Sequence, residues 1–316
     1  MKLLTTTAFK VFYVLVVVSF FIASFFLGAK VSAEETNVKL YNIGEANSLP
    51  VLAQSANFPT FSAEGIIAVD ASSNVTLFEK NADEPLYPAS TTKIITALVG
   101  LDYYKMDDVL TVQAADPTVD GQKMGLMAGE QMTFQNMLNG LLIYSANDAA
   151  VTISDNYPGG RDAFVNAMNA KANALHLTNS HFANPVGLDD PSQVTTARDM
   201  VRVSQIAMTN PIFSQIVGTK EKIVTDMSGK FSYDVKNVNE LLGTVPGVIG
   251  IKTGWTEGAR ENLISEVQRN GHGVYIALLG SEDRFGETTE LINWIYGNYS
   301  WQNVGYVQKA IGMVLK

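Results

Sequence analysis

The chain has 316 residues, enough for one large domain or two smaller ones, and 47% of them are apolar, enough for a sizeable core. A formal net charge of −9 argues against nucleic acid as the main partner. The absence of cysteine excludes disulfides, thiol catalysis and thiolate metal sites.

Lys2 and Lys10 precede an apolar run from Val11 to Ala29, and Val31, Ser32 and Ala33 then offer the residue pattern a signal peptidase accepts. Residues 1–33 are expected to be an export signal cut after Ala33. The alternative is an uncleaved anchor, because the run approaches the roughly 20 residues that span a bilayer. Either reading puts the globular part outside the cytoplasm, in the cell wall or at the outer face of the cytoplasmic membrane. Cleavage removes three lysines and no acid, taking the charge from −9 to −12. Residues 34–60 read as an irregular lead-in, 61–300 as the main domain and 301–316 as a C-terminal tail.

The runs FSAEGIIAVD and NVTLFEKN, around ASSN, predict a hairpin. In PASTTK, Ser90 stands three residues before Lys93, on one helical face. The plain reading makes Ser90 an N-cap and Lys93 a solvated lysine; the sharper one pairs a nucleophile with its base. A buried helix is expected from Ser90 to about Tyr104. TFQNMLNGLLIYSAND has helical periodicity up to Tyr144, and GRDAFVNAMNAKANALHL and TTARDMVRVSQIAM predict two more helices. GVIGIKTG is a strand candidate. ENLISEVQR and HGVYIALLG flank Asn270-Gly271, a strong hairpin signal, and a last helix is expected from Gly286 to Tyr296. This order does not alternate strand and helix as a parallel sheet requires. It predicts an α+β fold: an antiparallel sheet from both chain ends, flanked by helices, with an inserted all-helical subdomain and a cleft between the two.

Two further patterns stand in order after Ser90-x-x-Lys93: Ser145-Ala146-Asn147 between two helices, and Lys252-Thr253-Gly254 on the strand candidate. Each alone is a common turn or strand end. Together they form the set shared by penicillin-binding proteins and class A β-lactamases. With LFEKNADEPLYPASTTKIITAL, NGLLIYSANDAA, HFANPVGLDDPSQVTTARDM and GVIGIKTGWTEGARENLIS, the sequence resembles the serine-type D-alanyl-D-alanine carboxypeptidases, low-molecular-mass penicillin-binding proteins, from about Ser62 to Tyr299. The resemblance implies a β-lactamase/transpeptidase-like fold and removal of the terminal D-Ala from peptidoglycan stem pentapeptides. It implies covalent inhibition by β-lactam antibiotics, and no cofactor or metal. A serine hydroxyl needs a neighbour to take its proton, and Lys93 can do so only if its pKa is lowered. Burial and a second cation, Lys252, would both lower it, and a helix start would help.

By resemblance, Ser90 attacks the penultimate D-Ala carbonyl, Lys93 takes its proton, Ser145 relays a proton to the departing amine, and Asn147 holds the substrate amide and steadies Lys93. Lys252 and Thr253 bind the terminal carboxylate, alongside Gly254, and the backbone N–H groups of Ser90 and Trp255 form the oxyanion hole. Arg284 falls near the place where the family offers an arginine to the same carboxylate. Asp189 sits in a loop flanking the cleft, Arg198 and Asp199 are expected to pair with each other, and His176, His181 and His272 are expected to be structural. Arg260 stands where the family usually has glycine, which is expected to change the rim of the site. Family members commonly continue into a second, β-rich domain and a C-terminal anchor. Here Val304, Val307, Ile311 and Val314 give the tail helix-like spacing, to pack on the domain or touch a membrane. Membrane contact is thus expected only through an uncleaved N-terminus or weakly through the tail.

One alternative is a class A-like β-lactamase. That enzyme needs a glutamate near NPVGLDDPSQV, which holds only aspartates, and an aspartate where Ala146 stands. The other is an inactive wall-binding protein on the same fold.

Overall fold

The computed structural model describes residues 48–303. The expected export signal, most of the lead-in and residues 304–316 of the tail lie outside the described residues. The chain order is β1 (Ser48–Leu52), β2 (Gly65–Asp70), β3 (Thr76–Lys80), a 3-10 helix (Ala89–Thr92), α1 (Lys93–Tyr103), β4 (Val109–Thr111), β5 (Gln131–Thr133), α2 (Phe134–Ile143), α3 (Asn147–Asp155), α4 (Gly160–Ala174), α5 (Ala197–Met208), α6 (Pro211–Val217), β6 (Glu221–Thr225), β7 (Ser232–Lys236), β8 (Val248–Thr256), β9 (Arg260–Arg269), β10 (His272–Ser281), α7 (Arg284–Asn298) and β11 (Tyr299–Asn303).

The main sheet has the order β3-β2-β10-β9-β8, antiparallel throughout. Strands from both chain ends build it, as the α+β reading expects. The β9–β10 hairpin turns on Asn270 and Gly271 at φ 53° and 80°, the left-handed pair a tight two-residue turn needs. Alternation along the strands separates two cores. Ile66, Ala68, Leu278 and Leu263 face α7, packing on Leu291 and Ile295. Ile67, Val69, Ala277 and Leu279 face the helical insert. Within the insert α1 is buried from Lys93 to Gly100, so it is a central helix, not an amphipathic surface one. Truncating Ile95 there to alanine would cost about 2–5 kcal/mol.

Four local expectations need correction. The insert is not all-helical: β4 pairs with β5 and β6 with β7 inside it, as two small antiparallel sheets. The lead-in is not irregular throughout: β1 pairs antiparallel with β11, Ser48 opposite Asn303, so residues 48–52 and 299–303 form their own small sheet. Arg198 does not pair with Asp199. Its guanidinium reaches Asp83 at 2.8 Å and Glu79 at 3.0 Å, while Asp199 accepts from Asn179 N–H and the Ser180 hydroxyl. Adjacent residues on a helix project about 100° apart, so Arg198 and Asp199 do not face each other. Arg260 does not line the cleft; it bonds Glu64 at 3.2 Å and Glu282 at 2.7 Å. Its φ is +57°, a conformation that favours glycine at this position.

His181 Nδ1 lies 2.8 Å from the Ser192 carbonyl, and His272 stacks on Trp301 at 4.6 Å. Among the described residues no cluster of acidic and histidine side chains is placed to hold a metal, and no helix is long and apolar enough to cross a membrane.

Candidate active site

A cleft of ≈720 Å³ lies between the β8 edge of the sheet and the helical insert, lined by Ser90, Ser145, Asn147, Thr253, Trp255 and Arg284 among others. β8 is the outermost strand, so one row of its backbone groups has no strand partner and borders this cleft.

Ser90 is not the cap of α1. It sits inside the 3-10 helix Ala89–Thr92, and the α-helix proper begins at Lys93 with Thr92 as its N-cap. Ala89 holds φ +47°, and two glycines make room for this turn. A Cβ on Gly187 would lie 1.8 Å from the Ala89 carbonyl oxygen, and one on Gly254 would lie 2.9 Å from Ala89 Cβ and 3.0 Å from Ser90 N. Gly254 of the K-T-G motif therefore acts by absence: it lets β8 lie directly against the turn that carries Ser90.

Lys93 is fully buried. Its Nζ lies 2.7 Å from Ser90 Oγ, 2.6 Å from Asn147 Oδ1 and 2.7 Å from the Val186 carbonyl oxygen. Burial holds its pKa well below the ordinary lysine value and Lys252 lowers it further, against an opposing pull from Asp148. A neutral amine donates two hydrogen bonds and accepts one. Asn147 and Val186 are acceptors here, so the remaining lone pair falls to the Ser90 hydroxyl.

Lys252 is also buried, and its Nζ donates to Ser145 Oγ at 2.8 Å and to the Thr253 carbonyl at 3.0 Å. Burial, then the nearby Arg284, push its pKa down to about 7. Ser145 itself holds φ +63°, a costly conformation for a non-glycine residue and one concentrated at functional sites. The Arg284 guanidinium donates to the Gly254 carbonyl at 3.1 Å and lies over the Phe285 ring, which keeps it at the Lys252 end of the cleft. Trp255 is 63% exposed on the cleft wall. Asp189 accepts from Thr256 Oγ1 at 2.6 Å and from Gly258 N–H at 3.0 Å, tying the flanking loop to the end of β8.

The structure thus gathers Ser90, Lys93, Ser145, Asn147, Lys252, Thr253, Gly254, Trp255 and Arg284 at one cleft. Sequence reasoning missed the Val186 carbonyl, which no side-chain pattern could reveal. It also passed over Asp148, although that residue directly follows the S-x-N motif.

This geometry agrees with a family match. The model of the D-alanyl-D-alanine carboxypeptidases matches residues 52–283. The chain belongs to this family. A D-alanyl-D-alanine carboxypeptidase of Mycobacterium tuberculosis is 33% identical over 261 residues, 80% of this chain and 89% of the relative. A D-alanyl-D-alanine endopeptidase of Pseudomonas aeruginosa is 33% identical, over 72% of this chain and 76% of that protein. The chain spans only 63% of a Bacillus subtilis carboxypeptidase that it also matches. Among solved structures, the Streptomyces K15 DD-transpeptidase superposes with a TM-score of 0.72 at 30% identity, covering 77% of this chain and all of that one. The carboxypeptidase family match includes every motif residue from Ser90 to Trp255 and stops one residue before Arg284.

Proposed function

We propose that this D-alanyl-D-alanine carboxypeptidase works outside the cytoplasm on peptidoglycan stem peptides, removing the terminal D-Ala through an acyl-enzyme at Ser90. The observation that carries the residue assignment is the buried Lys93 amine 2.7 Å from Ser90 Oγ, held low in pKa by its surroundings. An extended peptide adds to the free edge of β8, where main-chain bonds give affinity. Its terminal carboxylate meets Lys252, Thr253 and Arg284. Its penultimate carbonyl oxygen points at the N–H groups of Ser90 and Trp255, where an oxyanion is stabilised.

Lys93 then takes the Ser90 proton as Oγ attacks that carbonyl. As the tetrahedral intermediate collapses, the C–N bond breaks and the D-Ala amine gains a proton through Ser145. Water hydrolyses the ester and frees the shortened peptide. Release of free D-Ala from a D-Ala-D-Ala peptide by the purified protein tests this reading; no release, with no labelling by a fluorescent penicillin, would favour an inactive wall-binding protein.

The pH dependence follows from the two lysines. Binding the carboxylate needs the Lys252 ammonium, which loses its proton as pH rises through about 7 in the free enzyme. kcat/KM for a D-Ala-D-Ala peptide should therefore fall above that pH. The same limb in kcat should lie higher, because a bound carboxylate favours the charged lysine. Lys252→Arg should remove the alkaline limb, since arginine stays charged. An unchanged limb in that variant would exclude Lys252 as its source.

A second expectation separates this enzyme from a β-lactamase. Deacylation of a penicilloyl ester needs a carboxylate poised on water, worth about 10²–10⁴-fold in rate. In the loop flanking the cleft, Asp189 is engaged by Thr256 and Gly258, and Asp190 by the Ser192 hydroxyl and N–H. The penicilloyl adduct should persist in intact-mass spectra after excess drug is removed, while peptide continues to turn over in the untreated enzyme. Rapid return to the unmodified mass with bulk penicillin hydrolysis would support the β-lactamase alternative.

A further inference from the structure

Asp148 follows Asn147 in the first turn of α3 and is fully buried. Its carboxylate accepts the backbone N–H groups of Met124 at 3.1 Å, Gly125 at 2.8 Å, Leu126 at 3.0 Å and Ala149 at 3.0 Å. Three of these donors belong to the segment 120–126, which is neither helix nor strand. The same segment brackets Asn147. The Asp120 carbonyl accepts Asn147 Nδ2 at 2.6 Å, and the Gln122 carbonyl accepts Asn147 N–H at 2.7 Å. Gly121, between them, has φ +84°, and a Cβ there would lie 2.6 Å from Asn147 Nδ2. With Nδ2 committed to Asp120, Oδ1 is left to face Lys93.

We infer that Asp148 is a positioning residue for the acylation step: it pins the segment 120–126, which fixes the Asn147 amide with its oxygen toward Lys93. The inference rests on the assignment of Ser90 and Lys93 above. A flipped Asn147 amide would set N–H groups against the Lys93 amine and an oxygen against the Asp120 carbonyl, two unfavourable contacts in place of two good ones. Without the Asp148 anchor the segment would lose three backbone hydrogen bonds and would keep its two bonds to Asn147, the Lys123 bond to Pro117 and the packing of Met124 and Leu126. The charged and titratable groups around this corner are Lys93 on α1, Lys252 on β8, Asp120 and Lys123 on the segment itself and, on β7, Tyr233, whose hydroxyl donates to Glu130. Among these Asp148 is the anion that favours the ammonium form of Lys93, against burial and Lys252.

The test is the pH profile of acylation by a fluorescent penicillin, in the wild type, in Asp148→Asn and in Gly121→Ala. Labelling of the wild type checks the underlying assignment separately, so the two readings can fail independently. Asp148→Asn places an amide against four N–H donors and removes the charge. Its acylation rate should fall about 10²-fold, the scale of a misplaced catalytic group. Its acid limb should move to lower pH by about one unit, because a lysine without its anion loses its proton more easily. Gly121→Ala disturbs the same bracket and keeps the charge, so the rate should fall with a smaller displacement of the limb. A folded Asp148→Asn protein that acylates at the wild-type rate overturns the inference. So does a rate loss with an unmoved acid limb, which would make Asp148 a structural anchor only. If Asp148→Asn does not fold, a folded Gly121→Ala variant acylating at the wild-type rate overturns it.

Discussion

Replacing Ser90 by alanine should abolish covalent labelling by penicillin and reduce D-Ala release to background. The reason is stoichiometric: Oγ is the atom proposed to form the acyl bond, and among the described residues no other hydroxyl shares its contact with the buried Lys93 amine. The fold should survive. The Ser90 side chain is only partly buried, and its contact with Lys93 is one of three that the amine makes, so Asn147 and Val186 continue to hold the lysine. The cost of one such hydrogen bond is about 1 kcal/mol. Non-covalent recognition should also survive, because Lys252, Thr253 and Arg284 are untouched. Intact mass after incubation with penicillin, beside a thermal melt, measures both halves. An adduct at wild-type stoichiometry in the folded variant would show that the nucleophile lies elsewhere.

Replacing Lys93 by arginine should be nearly as damaging, although the formal charge of the residue is kept. Arginine cannot give up its proton in a protein, so it cannot receive one from Ser90. Loss of a general base is worth about 10²–10⁴-fold, and acylation by penicillin and by peptide should fall together within that range. Arginine is also larger than the fully enclosed site, so Lys93→Met, close in length and uncharged, is the companion variant. It should fold and fail to acylate. The Asn147 Oδ1 and Val186 carbonyl acceptors would lose the amine, a destabilisation of about 1–3 kcal/mol. Stopped-flow labelling of both variants decides the matter. Acylation within tenfold of wild type in either would reduce Lys93 to a structural residue and send the search for the base to Ser145.

These two effects differ in how they arise from the chain. Ser90 and Lys93 are three residues apart, and local helical geometry brings them together. The chemistry of Lys93 is not local. Its low pKa comes from burial in α1 and from Lys252 on β8, and its third partner is a carbonyl 93 residues away.

The same division runs through the molecule. Order of elements, the strand-like runs that became β2, β9 and β10, the Asn270-Gly271 turn and the three short motifs were legible in the sequence by itself, because each depends on spacing within a few residues. So was the family, since those motifs recur in one order with long similar flanks. Their convergence was decided by tertiary structure. Lys252 reaches Ser145 across 107 residues, and Gly254 lies against Ser90 only because β8 is the sheet's edge beside the insert. Arg198 and Arg260 show the limit from the other side. Their sequence neighbours suggested a pair with Asp199 and a place on the cleft rim, whereas their partners come from distant segments at Glu79, Asp83, Glu64 and Glu282. An exposed, flexible cation is paired by whatever acids the packed elements bring within reach, and that proximity is a property of the fold.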